Sequence, residues 1–386
     1  MGVRYLNGII KSKCARAISH QSLRDYSGHT IVVDTSIYIH KYLGENALME
    51  SMYFMMAQFR YFRITPIFIF DGVPPTEKRD VMQSREHFRQ IAETRYKETS
   101  EEIHRHVNGM GVGMQATESS SESINDDSNS LNLNTGNCNS SHKITILERK
   151  LRTLRKRFVR ANACEISDLK RLMRSFDMRY IESEGESDLL CAHIVKCGIA
   201  SACMSDDMDM FLYGCPRVMR HVNLWHGTCV EYQLEPILKG LGVTLDGFRM
   251  ICVLSGTDYS EKPAGNAIDG HHNRHNSWRD RLYLSDIIDC YHEFIKHRDG
   301  VGIDDNEIDF YTWMKNTINC VDGVENHIDI DALRRAHTMF SADIADSQTS
   351  SLDSVMQFRQ LNPPTDDDLV PIRVKKFMAR YNFIYV

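Results

Sequence analysis

The sequence predicts an α/β fold: a central, mostly parallel sheet flanked by helices, followed by a helical C-terminal region. Three observations predict it. Two short apolar runs, HTIVVD at 29–34 and ITPIFIFD at 64–71, are β-rich and have the length of buried strands. Between them, Tyr38 to Phe62 is rich in Met, Leu and aromatics at helical spacing, long enough for the crossover that parallel strands require. The alternation then returns, with a strand at Met178–Ile181, a helix from Glu186 to Cys197 ended by Gly198, and a strand from Ile199 to Ser205.

The remaining elements follow in chain order. From Thr76 to Val107 a charged segment without Pro or Gly reads as one extended helix ending at Asn108-Gly109. Residues 108–142 include TESSSESINDDSNSLNLNTGNCNSS and carry almost no large apolar side chains, so the sequence predicts a disordered insertion that cannot offset its ordering entropy. Order is expected to resume in a basic helix, Lys143 to Arg160, with eight cations against the single acid Glu148. A second helix spans Ser167–Phe176. Beyond Asp258 the stretch HHNRHNSWRD is polar, Leu282–Lys296 reads as helical, and short helices alternate with acidic loops. The expected organisation is 1–107, insertion 108–142, 143–260 and a C-terminal region 261–386.

Composition narrows the class. No apolar run approaches the roughly 18 residues of a membrane span, and Met1-Gly2-Val3-Arg4 opens without a secretion signal, so an intracellular protein without membrane association is expected. Eleven cysteines contain no Cys-x-x-Cys pair, which argues for reduced thiols and against zinc or a disulfide framework. His271, His272 and His275 have no Cys partners and read as a polar loop. A formal charge of −6 disfavours nucleic acid as partner, yet the clustered cations of 143–160 supply the concentrated positive patch that phosphates require. No G-x-x-x-x-G-K-[ST] is present, which leaves ATPase or helicase activity unsupported.

The acids carry the chemistry. Asp34 and Asp71 end the two apolar runs, and Asp207 and Asp209 follow ASACMS, so three strands deliver carboxylates to the edge where parallel sheets bind ligands. Glu186 and Asp188 open a helix, whose positive end favours them, and Asp258 follows MICVL. A single Asp after a strand is usually a cap or loop residue; the set is informative because gathered carboxylates repel and need a compensating cation. Oxygen-only ligation suits Mg²⁺ or Mn²⁺, and two such ions about 4 Å apart clamp both oxygens of a phosphoryl displacement. Lys78 and Arg85, seven residues apart, are expected on one helix face with Arg89 and Tyr96.

On these residues the chain resembles the flap endonuclease and xeroderma-pigmentosum-G family of structure-specific 5′ nucleases, in a compressed form similar to homologues of large DNA viruses. The resemblance rests on VVDTSIYI, FIFDGVPPTEKRDVMQSR, RYIESEGESDLLCAHIVKCGIASACMSDDMDMFLYG and LSGTDY. It implies a PIN-like 5′ nuclease fold made of the 1–107 and 143–260 regions, and two Mg²⁺ or Mn²⁺ ions. One would lie near Asp34, Asp71, Glu186 and Asp188, the other near Asp188, Asp207, Asp209 and Asp258. Lys78 and Arg85 match the pair that grips the scissile phosphate, and Arg89, Arg149, Lys150, Arg152, Arg155, Lys156, Arg157 and Arg160 would add nucleic-acid contacts. The implied partner is DNA with a 5′ flap, nick or branch, acted on in replication, repair or recombination by a monomer, in the nucleus or at a cytoplasmic viral replication site.

Departures from the family are as specific. Asp188 stands where Glu is usual, the span from Asp34 to Asp71 is short, and the Ser/Asn insertion replaces a helical gateway. EKPAGNAIDGHHNRHNSW stands where a glycine-rich hairpin normally grips the duplex, and no clamp-binding motif precedes the terminal KKFMARYNFIYV. Two alternatives are RNA cleavage on the same scaffold and a catalytically silent nucleic-acid-binding scaffold. All seven acids with both cations argue against the latter, which would gain only repulsion from them.

Overall fold

The computed structural model describes residue 3 and residues 5–115, 135–260, 283–301, 309–322, 328–342, 370–381 and 383. After helix α1 (Leu6–Lys13), strands β1 (Ile18–Ser22), β2 (Thr30–Asp34), β3 (Thr65–Phe70), β4 (Arg179–Glu182), β5 (Ala202–Met204), β6 (Arg217–Asn223) and β7 (Thr228–Gln233) form one sheet in the order β1-β7-β6-β5-β2-β3-β4. Pairings from β4 through β3, β2 and β5 to β6 are parallel, and β7 joins β6 and β1 antiparallel. In β2 and β3 the residues Ile31, Val32, Val33, Ile67, Phe68 and Ile69 are wholly buried. Parallel strands covered on both faces read as continuous apolar runs for this reason, and each such side chain contributes roughly 1.5–3 kcal/mol.

The single crossover expected at Tyr38–Phe62 is two helices, α2 (Thr35–Gly44) and α3 (Leu48–Tyr61). The break falls at Glu45-Asn46-Ala47, where Asn46 takes a left-handed φ of 59°, a conformation that suits Asn better than most residues. The long charged helix, α4 (Arg79–Gln115), runs past Asn108 and Gly109, and the basic helix, α5 (Thr135–Phe158), begins before Lys143. Isolated Asn and Gly cost a helix only up to about 1 kcal/mol each, so they do not stop it without a cap. Both flanks of the low-complexity stretch are therefore helical, and residues 116–134 lie outside the described residues.

The chain divides into two compact units: residues 1–39, 49–82 and 162–386, and residues 40–48 and 83–161. The second holds most of α4 and all of α5. Within it Tyr96 meets Phe158 edge-on at 5.2 Å, and Ala92, Leu147 and Leu154 are buried. Several cations in this unit have local partners: Arg155 donates to Asn46 at 2.8 Å, Lys156 lies 3.4 Å from Glu45, and Arg160 and Arg89 share Glu86.

The first unit holds the sheet. Helices α6 (Ala163–Ser175), α7 (Ser187–Lys196), α8 (Leu234–Leu241) and α9 (Leu245–Ser255) belong to it. A C-terminal helical layer follows, with α10 (Leu284–Val301), α11 (Phe310–Asp322), α12 (Ile330–Ser341) and α13 (Ile372–Met378). Tyr291, Phe294, Phe310 and Trp313 form its aromatic core, with the rings of Phe310 and Trp313 nearly parallel. His271, His272 and His275 and the whole segment expected to replace the duplex-gripping hairpin lie outside the described residues. No helix among the described residues is long and apolar enough to cross a membrane. Of the described cysteines, Cys14, Cys191, Cys203, Cys215, Cys229 and Cys252 are buried free thiols, while Cys164 and Cys197 are exposed.

Candidate active site

The sheet order places the acids. The chain leaves β2 toward β3 and β4 on one side and later takes up β5 and β6 on the other, so a switch point opens beside the C-terminal end of β2, where parallel sheets bind ligands. Asp34 is the last residue of β2, Asp71 directly follows β3, and Asp207 and Asp209 follow β5. Glu186 is the N-cap of α7 and Asp188 lies in its first turn. Asp258 follows α9 after Gly256, whose φ of 114° makes a turn that a side chain would strain.

Close backbone contacts hold these acids. Gly72 donates to the Gly185 carbonyl at 2.8 Å, and a Cβ at Gly72 would lie 1.9 Å from the Ser183 carbonyl oxygen, so only glycine permits the approach. That approach lets Ser187 N–H donate to the Asp71 carboxylate at 2.9 Å, with the positive end of α7 facing Asp71. Asp34 accepts from Ser205 Oγ at 2.8 Å and from Ser187 Oγ at 3.4 Å. Asp209 accepts from Val3 N–H at 3.1 Å, and Asp207 from Asp209 N–H at 3.1 Å.

Electrostatically the seven acids are one cluster. Burial, then repulsion from Asp71 and Asp207, pushes Asp34 up to about 7 against the opposing hydrogen bond from Ser205. Asp188 is raised by burial and by Asp34 and Asp207, and Asp209 by burial and by Asp207 and Asp258. Glu186 acts on Asp188, which joins it to the same network. Negative charge is thus crowded together, with Asp34 and Asp209 themselves buried.

One cation answers it from inside. Burial alone would lower the Lys78 ammonium, but Glu186, Asp258 and Asp188 outweigh that and raise it. Lys78 Nζ lies 2.5 Å from Glu186 and 3.8 Å from Asp258. Beneath it, with the ring centre 4.6 Å from Nζ, sits Tyr259, whose hydroxyl donates to Glu186 and pairs with Tyr213 at 2.9 Å. Among the described residues no group of three or more His, Cys, Asp or Glu is already converged on a single cation position. The carboxylate oxygens are turned instead toward serines, backbone N–H groups, Lys78 and Tyr259. The donor set nevertheless fits hard divalent ions: oxygen only, crowded, and undercompensated in charge.

All seven acids and Lys78 therefore come together. Lys78 does not share a helix with Arg85, as the spacing suggested. It closes a 3₁₀ turn, Thr76–Lys78, that follows the extended Pro75 and precedes α4, and its side chain is buried. Arg85, Arg89 and the cations from Arg149 to Arg160 belong to the second unit. Glu182 and Asp206 are engaged elsewhere, with Lys170 at 2.7 Å and with His221 N–H at 2.8 Å. Sequence reasoning missed Ser187, Ser205, Tyr213 and Tyr259. Only Tyr259 carried a signal, its place beside Asp258; the serines look like any loop serine until the strands are assembled.

Residues 1–92 match the model of the XPG N-terminal domain and residues 177–258 that of the XPG I-region. Flap endonuclease 1 of Enterocytozoon bieneusi (strain H348) is 24% identical over 277 residues, covering 67% of this chain and 65% of that protein. The chain thus spans somewhat less than two thirds of that relative's length. The catalytic core of Rad2 in complex with DNA substrate is 18% identical, with a TM-score of 0.52 over 98% of this chain and 95% of that one. The Holliday junction-resolving enzyme GEN1, in complex with product DNA and a Mg²⁺ ion, is 13% identical, with a TM-score of 0.51 over 97% of this chain and 72% of that one. These likenesses to solved structures establish the fold.

Proposed function

We propose, from its membership of the flap endonuclease and XPG family of 5′ nucleases, that this chain hydrolyses phosphodiester bonds at flapped, nicked or branched 5′ ends of DNA with the help of divalent metal ions. The observation that carries the reading is the single cluster of Asp34, Asp71, Glu186, Asp188, Asp207, Asp209 and Asp258 around Lys78. A packing or binding role gives no return for so much crowded like charge, two of its acids buried, whereas cation binding removes its cost.

Asp34, Asp71, Glu186 and Asp188 would hold one Mg²⁺ or Mn²⁺, and Asp188, Asp207, Asp209 and Asp258 a second. Such ions supply Lewis-acid stabilisation of the scissile phosphate and lower the pKa of an attacking water. Ser205 and Ser187 orient Asp34 through their hydroxyls, and the α7 amide of Ser187 orients Asp71. Lys78 contributes a positive charge held within the cluster, suited to the charge that builds on phosphate oxygens in the transition state. Arg85 stands at the family's second phosphate-gripping position, and the cations of α5 would contact the backbone without reading sequence. Action on DNA gives the protein an intracellular site of work.

The test is digestion of matched 5′-flap, nicked, blunt and single-stranded DNA, and of RNA of the same sequences, with Mg²⁺, with Mn²⁺ and with chelator. Metal-dependent cleavage favouring flapped DNA is expected. Cleavage of RNA alone would move the substrate class, and no cleavage of any substrate with either ion would overturn the reading.

A further inference from the structure

The site's inner cation and one of its acids are both held by a group outside the carboxylate set, and that group is braced by the C-terminal layer. Tyr259 makes two contacts at once: its ring lies 4.6 Å beneath Lys78 Nζ, and its hydroxyl donates to Glu186. Behind it, Phe340 of α12 meets the Tyr259 ring edge-on at 5.1 Å and the Tyr213 ring at 5.0 Å, and the two tyrosine hydroxyls lie 2.9 Å apart. Phe340 is 1% exposed and Tyr213 4%, so neither ring can turn without repacking. We propose that Tyr259 is a positioning residue that keeps Lys78 and Glu186 in register, and that Phe340 of α12 locks it in place, making the C-terminal layer the back wall of the active site. The proposal rests on the nuclease reading of the acids.

The physical need is clear from the two partners. Glu186 is an N-cap residue whose side chain makes no capping bond, so its direction is set by Lys78 and Tyr259 instead. Lys78 is a flexible four-carbon chain ending in a compact charge, which a single acid orients poorly. A phenol that donates to the carboxylate while its ring face lies against the ammonium fixes the distance between the two without adding charge. Groups that orient metal-binding carboxylates typically change metal affinity or activity by about 10–100-fold when removed.

The full chain and its Tyr259→Phe, Tyr259→Leu and Phe340→Leu variants would be titrated with Mg²⁺ and with Mn²⁺, reading the metal concentration at the midpoint of thermal stabilisation. The single-turnover rate on a 5′-flap DNA at saturating Mg²⁺ would be read separately. Tyr259→Phe keeps the ring and loses the hydroxyl, so its metal midpoint should rise by about 10–100-fold while its saturated rate changes less. Tyr259→Leu, which also strips the ring from Lys78, should lose in both. Phe340→Leu should move the same readouts in the same direction by a smaller factor. A merely structural role would lower the melting temperature of the metal-free protein and leave the metal midpoint where it was, and that result, or a Tyr259→Phe variant matching the unmodified protein in both readouts, overturns the proposal. Should the unmodified chain bind metal yet cut no substrate, the nuclease reading fails while the midpoints still decide the role of Tyr259. No stabilisation by either ion would remove both.

Discussion

Lys78 and Glu186 form a 2.5 Å ion pair whose side chains are only 9% and 18% exposed, in the middle of a cluster of like-charged acids. The pair sets up a competition: whatever cation Glu186 accepts, it must be shared with or taken from Lys78. Lys78→Met is therefore expected to slow the single-turnover rate by about 10²–10³, as loss of a transition-state charge typically does. The same variant should gain more thermal stability from added Mg²⁺ than the unmodified chain, because a competing positive charge is gone while Tyr259 still orients Glu186. A smaller metal-induced shift would show that Lys78 assists metal binding instead.

Asp34→Asn separates charge from shape. The amide oxygen can still accept from Ser205, while the buried charge that repels Asp71 and Asp207 is gone. The variant is expected to melt at a higher temperature than the unmodified protein in chelator, and to lose Mg²⁺-dependent cleavage. Retained turnover, or a lower melting temperature in chelator, would contradict the placement of Asp34 as an undercompensated ligand.

The role proposed for Arg85 is to grip the scissile phosphate rather than to hold the duplex. Arg85→Ala should reduce the chemical rate by about 10²–10³ and weaken DNA binding far less. Parallel single-turnover kinetics and filter binding distinguish the two; equal losses would make Arg85 an ordinary backbone contact.

Acid should loosen the C-terminal layer through His337 of α12, whose Nε2 faces Asp246 of α9 at 3.0 Å. Burial lowers His337 below its ordinary value of 6.5, with Asp246 opposing and Arg249 adding to the shift. A histidine depressed in the folded state binds fewer protons there than in the unfolded chain. Its stabilising contribution is complete above 6.5 and is lost as pH falls through the lower folded value. Denaturant midpoints measured from pH 7 to pH 5 should fall more steeply for the unmodified chain than for His337→Phe.

Much of this architecture is readable in the amino acids, and the exceptions share a cause. The strands β2 and β3 show as apolar runs because they are covered on both faces, and their terminal aspartates point to the functional edge without further help. The β6–β7 hairpin does not show. Its strands carry Arg220 and Glu231, both buried, whose partners Asn7, the Asp206 carbonyl and Tyr26 come from distant parts of the chain. Charge satisfied at long range looks in sequence like exposure. The acids could be gathered from the ends of strands and helices, but the burial of Lys78 could not, because nothing local distinguishes it from the lysine of a solvated helix. Tyr259 was hidden for the same reason: its partners are brought to it by the sheet and by α12.

The buried thiols offer a readout of a different kind. Cys191 is pushed up to about 12 by burial and neighbouring charge, and Cys203 and Cys215 are raised as well, so these sulfurs are protonated and shielded at neutral pH. The exposed Cys164 and Cys197 can be capped first with an alkylating reagent. Any later label on Cys203, at the heart of β5, then marks a molecule whose sheet has come apart. The rate of that second labelling, taken in chelator, acts as a stopwatch for opening that needs neither substrate nor turnover. A variant whose catalysis has vanished while its stopwatch runs unchanged has lost chemistry and kept its architecture.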